Sequence, residues 1–188
     1  MSFKGQIYQD RWVCETLEYK KNGYFLDIGA FDGVQISNTF FLEKYLNWSG
    51  ICIEAGEDNY KELIKNRNCT CLNMIVSDKN GFQEFAENWT VGKIGKGKKT
   101  ESITIDRLLT DWRVPKLIDY VSLDVEGAEY DVLTMFPFND YHVRLWTIEH
   151  NAHEDGGVLR DNIRELMSRN KYRVYREQPF EDWWYDYL

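Results

Sequence analysis

Proline is scarce, three residues in 188, and none sits in a Ser/Gly-rich run that could divide the chain. The expectation is therefore one domain over 1–188, with 1–23 as an N-terminal helical segment and the whole able to form one domain of a longer polypeptide. No stretch approaches the roughly 18 consecutive apolar residues of a membrane-spanning helix. The opening MSFKGQIYQDRWV lacks the apolar centre of a secretory signal, so a cytoplasmic location is expected. No Cys-x-x-Cys pair occurs, and Cys14, Cys52, Cys69 and Cys71 read as reduced core fillers. Basic residues are outnumbered, 23 against 31 acidic, for a net charge of −8. A broad phosphate-binding surface is thereby disfavoured, and nucleic acid is not expected as a partner. The Gly-x-Gly-x-x-Gly turn of dinucleotide oxidoreductases is also missing.

What is present is enough apolar material for a substantial core, 43% hydrophobic and 15% aromatic. Helical spacing covers 7–20, ended by Gly23, and YFLDI (24–28) is a short apolar strand. Ser37 is placed to cap a helix over 38–46. Strand 50–55, helix 57–67 and strand 69–77 follow, then a turn at 79–81 and an alternating strand over 82–89 that ends on Trp89. The segment 91–100, with Lys93, Lys96, Lys98 and Lys99 between Gly92, Gly95 and Gly97, reads as a flexible basic loop: a substrate lid, or a solvated surface. A helix over 105–113, strand 118–127, helix 128–136, strand 143–151 and helix 158–169 precede two closing strands, YRVYRE and DWWYDYL. In the aromatic tail, Trp183, Trp184, Tyr185 and Tyr187 alternate faces. One face closes the sheet and the other is free to stack on a sugar or dock a partner.

Alternating strands and helices imply an α/β fold with a largely parallel sheet covered on both faces. Right-handed crossovers gather the strand C-termini at one edge, where such folds bind ligands. The five main strands end on Asp27, Glu54, Ser77-Asp78, Asp124 and Glu149. Five carboxylates on one rim repel one another unless a ligand that is cationic, hydroxyl-rich or both lies between them. Asp27 and Asp32 suit an ammonium group, and Gly29 and Gly33 let a ligand approach the backbone. Glu54 is placed to accept two ribose hydroxyls. An ammonium-carboxylate tail and a ribose without phosphate describe S-adenosylmethionine (SAM).

FLDIGAFDGVQISNT, GICIEA, VSD, IDYVSLDVEGAEYDVL and IEHN together resemble the FkbM family of class I methyltransferases, from about Gln6 to Asn151. The resemblance implies a Rossmann-like, mostly parallel seven-stranded sheet and SAM-dependent O-methylation, often of sugar hydroxyls in glycans or natural products. It implies cofactor contacts from Asp27, Gly29, Ala30, Asp32, Gly33, Glu54 and Ala55. Ser37 and Asn38 are expected near the methionine end, and Ser77 and Asp78 near the adenine. Gln9 and Asp10 match an N-terminal element that closes over the cofactor, with a plain helix-surface role as the alternative.

Loss of the acceptor's hydroxyl proton calls for a base, a metal, or both. Asp124, Glu126, Glu149 and His150 are the catalytic candidates. Asp124, Glu149 and Asn151 form an oxygen-rich set suited to Mg²⁺ or Mn²⁺. His142 and His153 read as surface residues. The expected partner is a sugar or glycan acceptor, with fusion or docking to a glycosyltransferase a further expectation. The rival readings are a nucleotide-binding oxidoreductase of similar fold and a non-catalytic glycan-binding or scaffold module.

Overall fold

The computed structural model describes residues 2–88 and 91–186, without the side chains of Asn88 and Val91. In chain order the elements are α1 (Gln9–Thr16), β1 (Tyr24–Ile28), α2 (Phe40–Leu46), β2 (Ser49–Ile53), α3 (Glu57–Asn66), β3 (Thr70–Leu72), β4 (Ile75–Val76), β5 (Gly81–Asn88), β6 (Val91–Ile94) and β7 (Lys98–Ile103). They continue with α4 (Ile105–Asp111), β8 (Leu117–Leu123), α5 (Glu129–Thr134), β9 (His142–Glu149), α6 (Ala152–Asp155), α7 (Val158–Arg169), β10 (Tyr172–Glu177) and β11 (Glu181–Asp186).

Among the described residues the main sheet has seven strands in the order β10-β11-β9-β8-β1-β2-β3. β9, β8, β1, β2 and β3 run parallel, while β11 is antiparallel to both β9 and β10. The sheet is thus mixed, with its parallel part at the centre. β1 lies between β2 and β8, with Leu26 opposite Ile51 on one side and Val121 on the other. Side chains alternate along β1. Leu26 and Ile28 join the core built with α4, α5 and α7, whereas Phe25 joins the core built with α1, α2 and α3. Asp27 therefore points to the α1–α3 side by the same period of two. No helix among the described residues is long and apolar enough to cross a membrane.

The expected strand over 69–77 is two strands in two sheets. β3 ends at Leu72, and the chain turns at Asn73, whose Nδ2 donates to the carbonyls of Glu54 and Ala55 at 2.9 and 3.1 Å. β4 then pairs with β7 in a second, four-stranded sheet ordered β4-β7-β5-β6. The expected basic loop over 91–100 belongs to this sheet as β6 and the start of β7. Two of its glycines serve close packing rather than hinge motion: a Cβ on Gly92 would lie 2.2 Å from the Phe85 ring, and one on Gly97 would lie 2.0 Å from the Phe85 carbonyl oxygen. Lys93 pairs with Glu154 at 3.4 Å, Lys98 pairs with Glu57, and Lys99 lies over the Phe82 ring at 4.8 Å.

The aromatic tail is also buried on both faces. Trp184 packs into one core and Trp183 into the other, stacked on Trp12 with ring centroids 5.0 Å apart. Neither ring is left to receive a sugar. Tyr187 and Trp89 lie outside the described residues.

Candidate functional site

The C-terminal ends of β1, β2 and β8 open into a cleft with about 970 Å³ of empty space, open solvent included. Backbone bonds fix its floor. Asp124 N–H donates to the Ile28 carbonyl at 2.9 Å, and the N–H groups of Gly29 and Ala30 both donate to the Ile53 carbonyl at 2.9 and 3.0 Å. Gly29 has φ +92°, and a Cβ there would sit 1.8 Å from the Asp124 carbonyl oxygen. Only a glycine allows strands β1 and β8 to close up at that point.

Asp27, on the central strand β1, is buried and accepts a hydrogen bond from Thr39 Oγ1 at 2.5 Å. Burial raises its pKa, while the Arg67 guanidinium and the Thr39 hydroxyl pull it back down. Asn38 Nδ2 donates to Ser122 Oγ at 3.0 Å, and its buried Oδ1 has no partner among the described residues. Ser37 Oγ accepts from Phe40 N–H at 3.1 Å. It thus steadies the start of α2 from three positions upstream, where the sequence places it as the cap of a longer helix.

Glu54 stands just past β2, 8% exposed. One carboxylate oxygen accepts from Phe31 N–H at 2.9 Å and the other from Gly56 N–H at 2.7 Å. Burial still dominates and lifts its pKa to about 7 against these two bonds, with Glu87 and Asp27 adding repulsion. Glu87 comes from β5, on the second sheet, and lines the cleft together with Phe85. Sequence reading misses both. Their signal is the alternation of Gln83, Phe85 and Glu87 on one face of β5.

Just past β8 Asp124 and Glu126 line the cleft, and oxygens of Asp124, Glu126 and Glu149 lie within 4.8 Å of one another. Asp124 is exposed on the cleft. Desolvation comes first for both members of the Asp124–Glu149 pair, the charge of Asp124 adds to it at Glu149, and Glu126 and Glu129 crowd both, so that both lie above the usual carboxylate range. Glu149 Oε2 is buried without a partner among the described residues. Glu126 has φ +56°, a strained setting for a non-glycine residue beside the cleft. Glu129, buried at the start of α5, accepts from the N–H groups of Val125 and Gly127 and holds this turn in place.

Several sequence candidates lie elsewhere. Gln9 and Asp10 are buried, contrary to the surface alternative, and do not line the cleft. Gln9 Nε2 donates to Glu181 at 3.1 Å, and Asp10 accepts from the backbone of Lys4 and Arg11. Asp32 is used by its own turn, accepting from the N–H groups of Val34 and Gln35, both at 2.8 Å. Gly33 (φ +78°) serves packing, since a Cβ there would meet Leu63 at 2.6 Å and Arg67 at 2.7 Å. Ser77 is buried in the second sheet, 2.9 Å from Ser102 Oγ, and Asp78 is exposed beside Lys79. Both left the main sheet's rim with β4. His150 is enclosed just past β9, its Nδ1 accepting from Ala152 N–H at 3.3 Å and its Nε2 3.6 Å from Asp182 on the neighbouring β11. With that lone pair engaged and no face on the cleft, it is not placed to take a proton from an acceptor. Asn151 initiates α6, and the third carboxylate beside Asp124 and Glu149 is that of Glu126. His142, read as a surface residue, is part-exposed and pairs with Asp186 at 2.5 Å. Gly29, Ala30, Ser37, Asn38, Glu54, Ala55, Asp27, Asp124 and Glu126 do share the one cleft.

The profile of the methyltransferase FkbM domain matches residues 27–174, which begin at Asp27 and include the C-terminal ends of β1, β2 and β8 that open into the cleft. The chain belongs to the FkbM methyltransferase family. Solved structures agree with the fold. The FkbM methyltransferase from Methylobacillus flagellatus KT superposes with a TM-score of 0.57 at 13% identity, over 87% of this chain and 43% of that one. A provisionally assigned O-methyltransferase from Klebsiella pneumoniae gives 0.60 at 9% identity, over 100% and 84%. Precorrin-6y C5,15-methyltransferase from Geobacter metallireducens GS-15 gives 0.55 at 10% identity, over 94% and 87%. This FkbM chain thus spans less than half the length of its M. flagellatus relative. No curated protein sequence matches it significantly.

Proposed function

We propose that this FkbM domain is a SAM-dependent O-methyltransferase acting on a sugar hydroxyl of a glycan or glycosylated product. One observation carries the reading: a single cleft gathers a free amide acceptor, the buried carboxylates of β1 and β2 and a carboxylate cluster just past β8. Asn38 Oδ1, buried and unsatisfied, suits an ammonium donor, and the Gly29 cradle admits a ligand against the backbone. Asp27, Ser37 and Asn38 would hold the amino-acid end, while Glu54, organised by two backbone N–H groups, would hold the ribose. When bound there, SAM supplies a methyl group on a sulfonium for transfer to the acceptor oxygen.

The chain's own contribution is to place the acceptor and take its proton. Asp124 is the accessible member of the cluster and the assigned base, and Glu149 behind it stabilises the pair by sharing a proton. The orphaned Glu149 oxygen and the three oxygens within 4.8 Å also fit a hard divalent cation. With Mg²⁺ or Mn²⁺ present, Asp124, Glu126 and Glu149 would serve as its ligands in place of the base role of Asp124, and the ion would lower the pKa of a bound hydroxyl. Titration calorimetry with SAM and with NAD tests the cofactor: heat with NAD and none with SAM refutes the proposal. Incubating glycans with labelled SAM, with and without a chelator, tests acceptor and metal by mass spectrometry.

A further inference from the structure

A buried cation ties the irregular segment between β1 and α2 to the rest of the fold. The Arg67 side chain is fully enclosed at the end of α3. Its Nε donates to Glu43, its Nη1 to the Gly33 carbonyl at 3.3 Å and Ser37 Oγ at 3.4 Å, and its Nη2 to Thr39 Oγ1 at 3.0 Å. Thr39 Oγ1 in turn donates to Asp27 Oδ2 at 2.5 Å. Arg67 Nη1 itself stands 4.0 Å from that same oxygen, and its guanidinium lies 5.4 Å from the centre of the Phe25 ring. Glu43 also accepts from the N–H groups of Asn68 and Cys69, so the acid that orients Arg67 is anchored as well.

We infer that Arg67 is a positioning residue for the cofactor end of the cleft, aiming Asp27 through Thr39 and seating Ser37 and Asn38. Resting on the SAM reading above, this assigns Arg67 to binding through other residues, since it does not itself line the cleft. A planar fork with five donors is what the task needs. Four acceptors, three in the segment between β1 and α2 and one on α2, are held by one side chain, which a lysine's point charge cannot span. The charge matters too. Asp27 is enclosed, and without a nearby cation burial would favour its neutral form, which accepts less strongly from an ammonium group. The other groups bearing on Asp27 are the thiols of Cys52 and Cys69, the hydroxyls of Thr39 and Ser122, and the more distant Glu54 and Tyr120.

The test is calorimetric SAM binding across pH, with urea melts in parallel, for the wild type, Arg67→Met, Arg67→Lys and Thr39→Val. The measurements are repeated in a Glu54→Gln background, so that titration of Glu54 does not mask that of Asp27. Arg67→Met is expected to weaken binding about tenfold or more and to move the acid limb of affinity up by about one pH unit. Arg67→Lys restores the position of the limb but only part of the affinity. Thr39→Val, which keeps the buried volume, weakens binding by several-fold and gives a readout should Arg67→Met fail to fold. Binding per folded molecule and an acid limb both unchanged in every variant would reduce Arg67 to a stabilising residue and overturn the inference alone. A wild type that gives no SAM heat would overturn the cofactor reading, and this inference with it.

Discussion

Replacing Glu54 by glutamine separates the cost of a buried charge from its use. Folding lifts the Glu54 pKa from the ordinary 4.5 to about 7. Across that window the folded chain holds a proton that the unfolded chain has released. The stability this contributes is fully present below pH 4.5 and is lost as pH rises through 7. A shift of about 2.5 units at 1.36 kcal/mol each amounts to about 3 kcal/mol between pH 4 and pH 8. Because only 8% of the residue is exposed, little of this is screened away. Glutamine removes the titration but presents an amide N–H₂ to one of two backbone donors, Phe31 N–H or Gly56 N–H. Leaving that donor unpaired costs about 1–3 kcal/mol at every pH. The variant should therefore be less stable than wild type near pH 4.5, and the gap should close or reverse by pH 8. Urea midpoints at pH 4.5, 6, 7 and 8 measure it. A constant offset across the series would show that Glu54 titrates normally, and the argument for an enclosed carboxylate at the end of β2 would fail. SAM affinity at pH 8 should fall about 10- to 100-fold in the same variant, as two charge-assisted bonds are lost.

Asp124→Asn should lower turnover by 10²-fold or more while leaving SAM binding within about threefold of wild type, since it removes the base and not the cofactor contacts. Stopped-time product assays alongside calorimetry separate the two, and equal losses in both would refute the assignment. Gly29→Ala forces a methyl to within 1.8 Å of the Asp124 carbonyl oxygen. It should lower the urea midpoint by the equivalent of about 2 kcal/mol or more, beyond the 1–2 kcal/mol of the left-handed conformation alone. A midpoint equal to wild type would mean that β1 and β8 do not close up as described. Glu87→Gln should leave the melt within about 0.5 kcal/mol of wild type, since the residue is exposed at the cleft. It should also lower the pH at which Glu54 titrates, by removing the neighbouring charge, which the pH series of urea midpoints reads directly.

Particular elements show where the sequence was legible. YFLDI and GICIEA could be read as adjacent buried strands because burial on both faces leaves a short apolar run with a polar terminus, a local pattern. Asp27, Glu54 and Asp124 were legible as rim residues for the same reason: each ends such a run, and parallel strands share an edge. The segment 69–77 was not legible, because a break between two sheets depends on Asn73 reaching the carbonyls of Glu54 and Ala55, about 18 residues back. The glycines of 91–100 suggested motion for want of knowing that Phe85 lies against two of them. His150 follows Glu149 in sequence, but successive side chains of a strand point to opposite faces: Glu149 reaches Asp124 and Glu126, while His150 is enclosed near Asp182.

By itself, the order of residues determined the succession of strands and helices, the apolar faces they present and the acids at the strand ends, because these follow from periods of 2 and 3.6 within one element. Tertiary structure decided which acids meet, and it brought in Glu87 from the second sheet and Arg67 from the end of α3. A polar side chain can be buried only where distant segments complete its hydrogen bonds. For Arg67 those partners lie 24 to 34 residues away, beyond the reach of any local pattern.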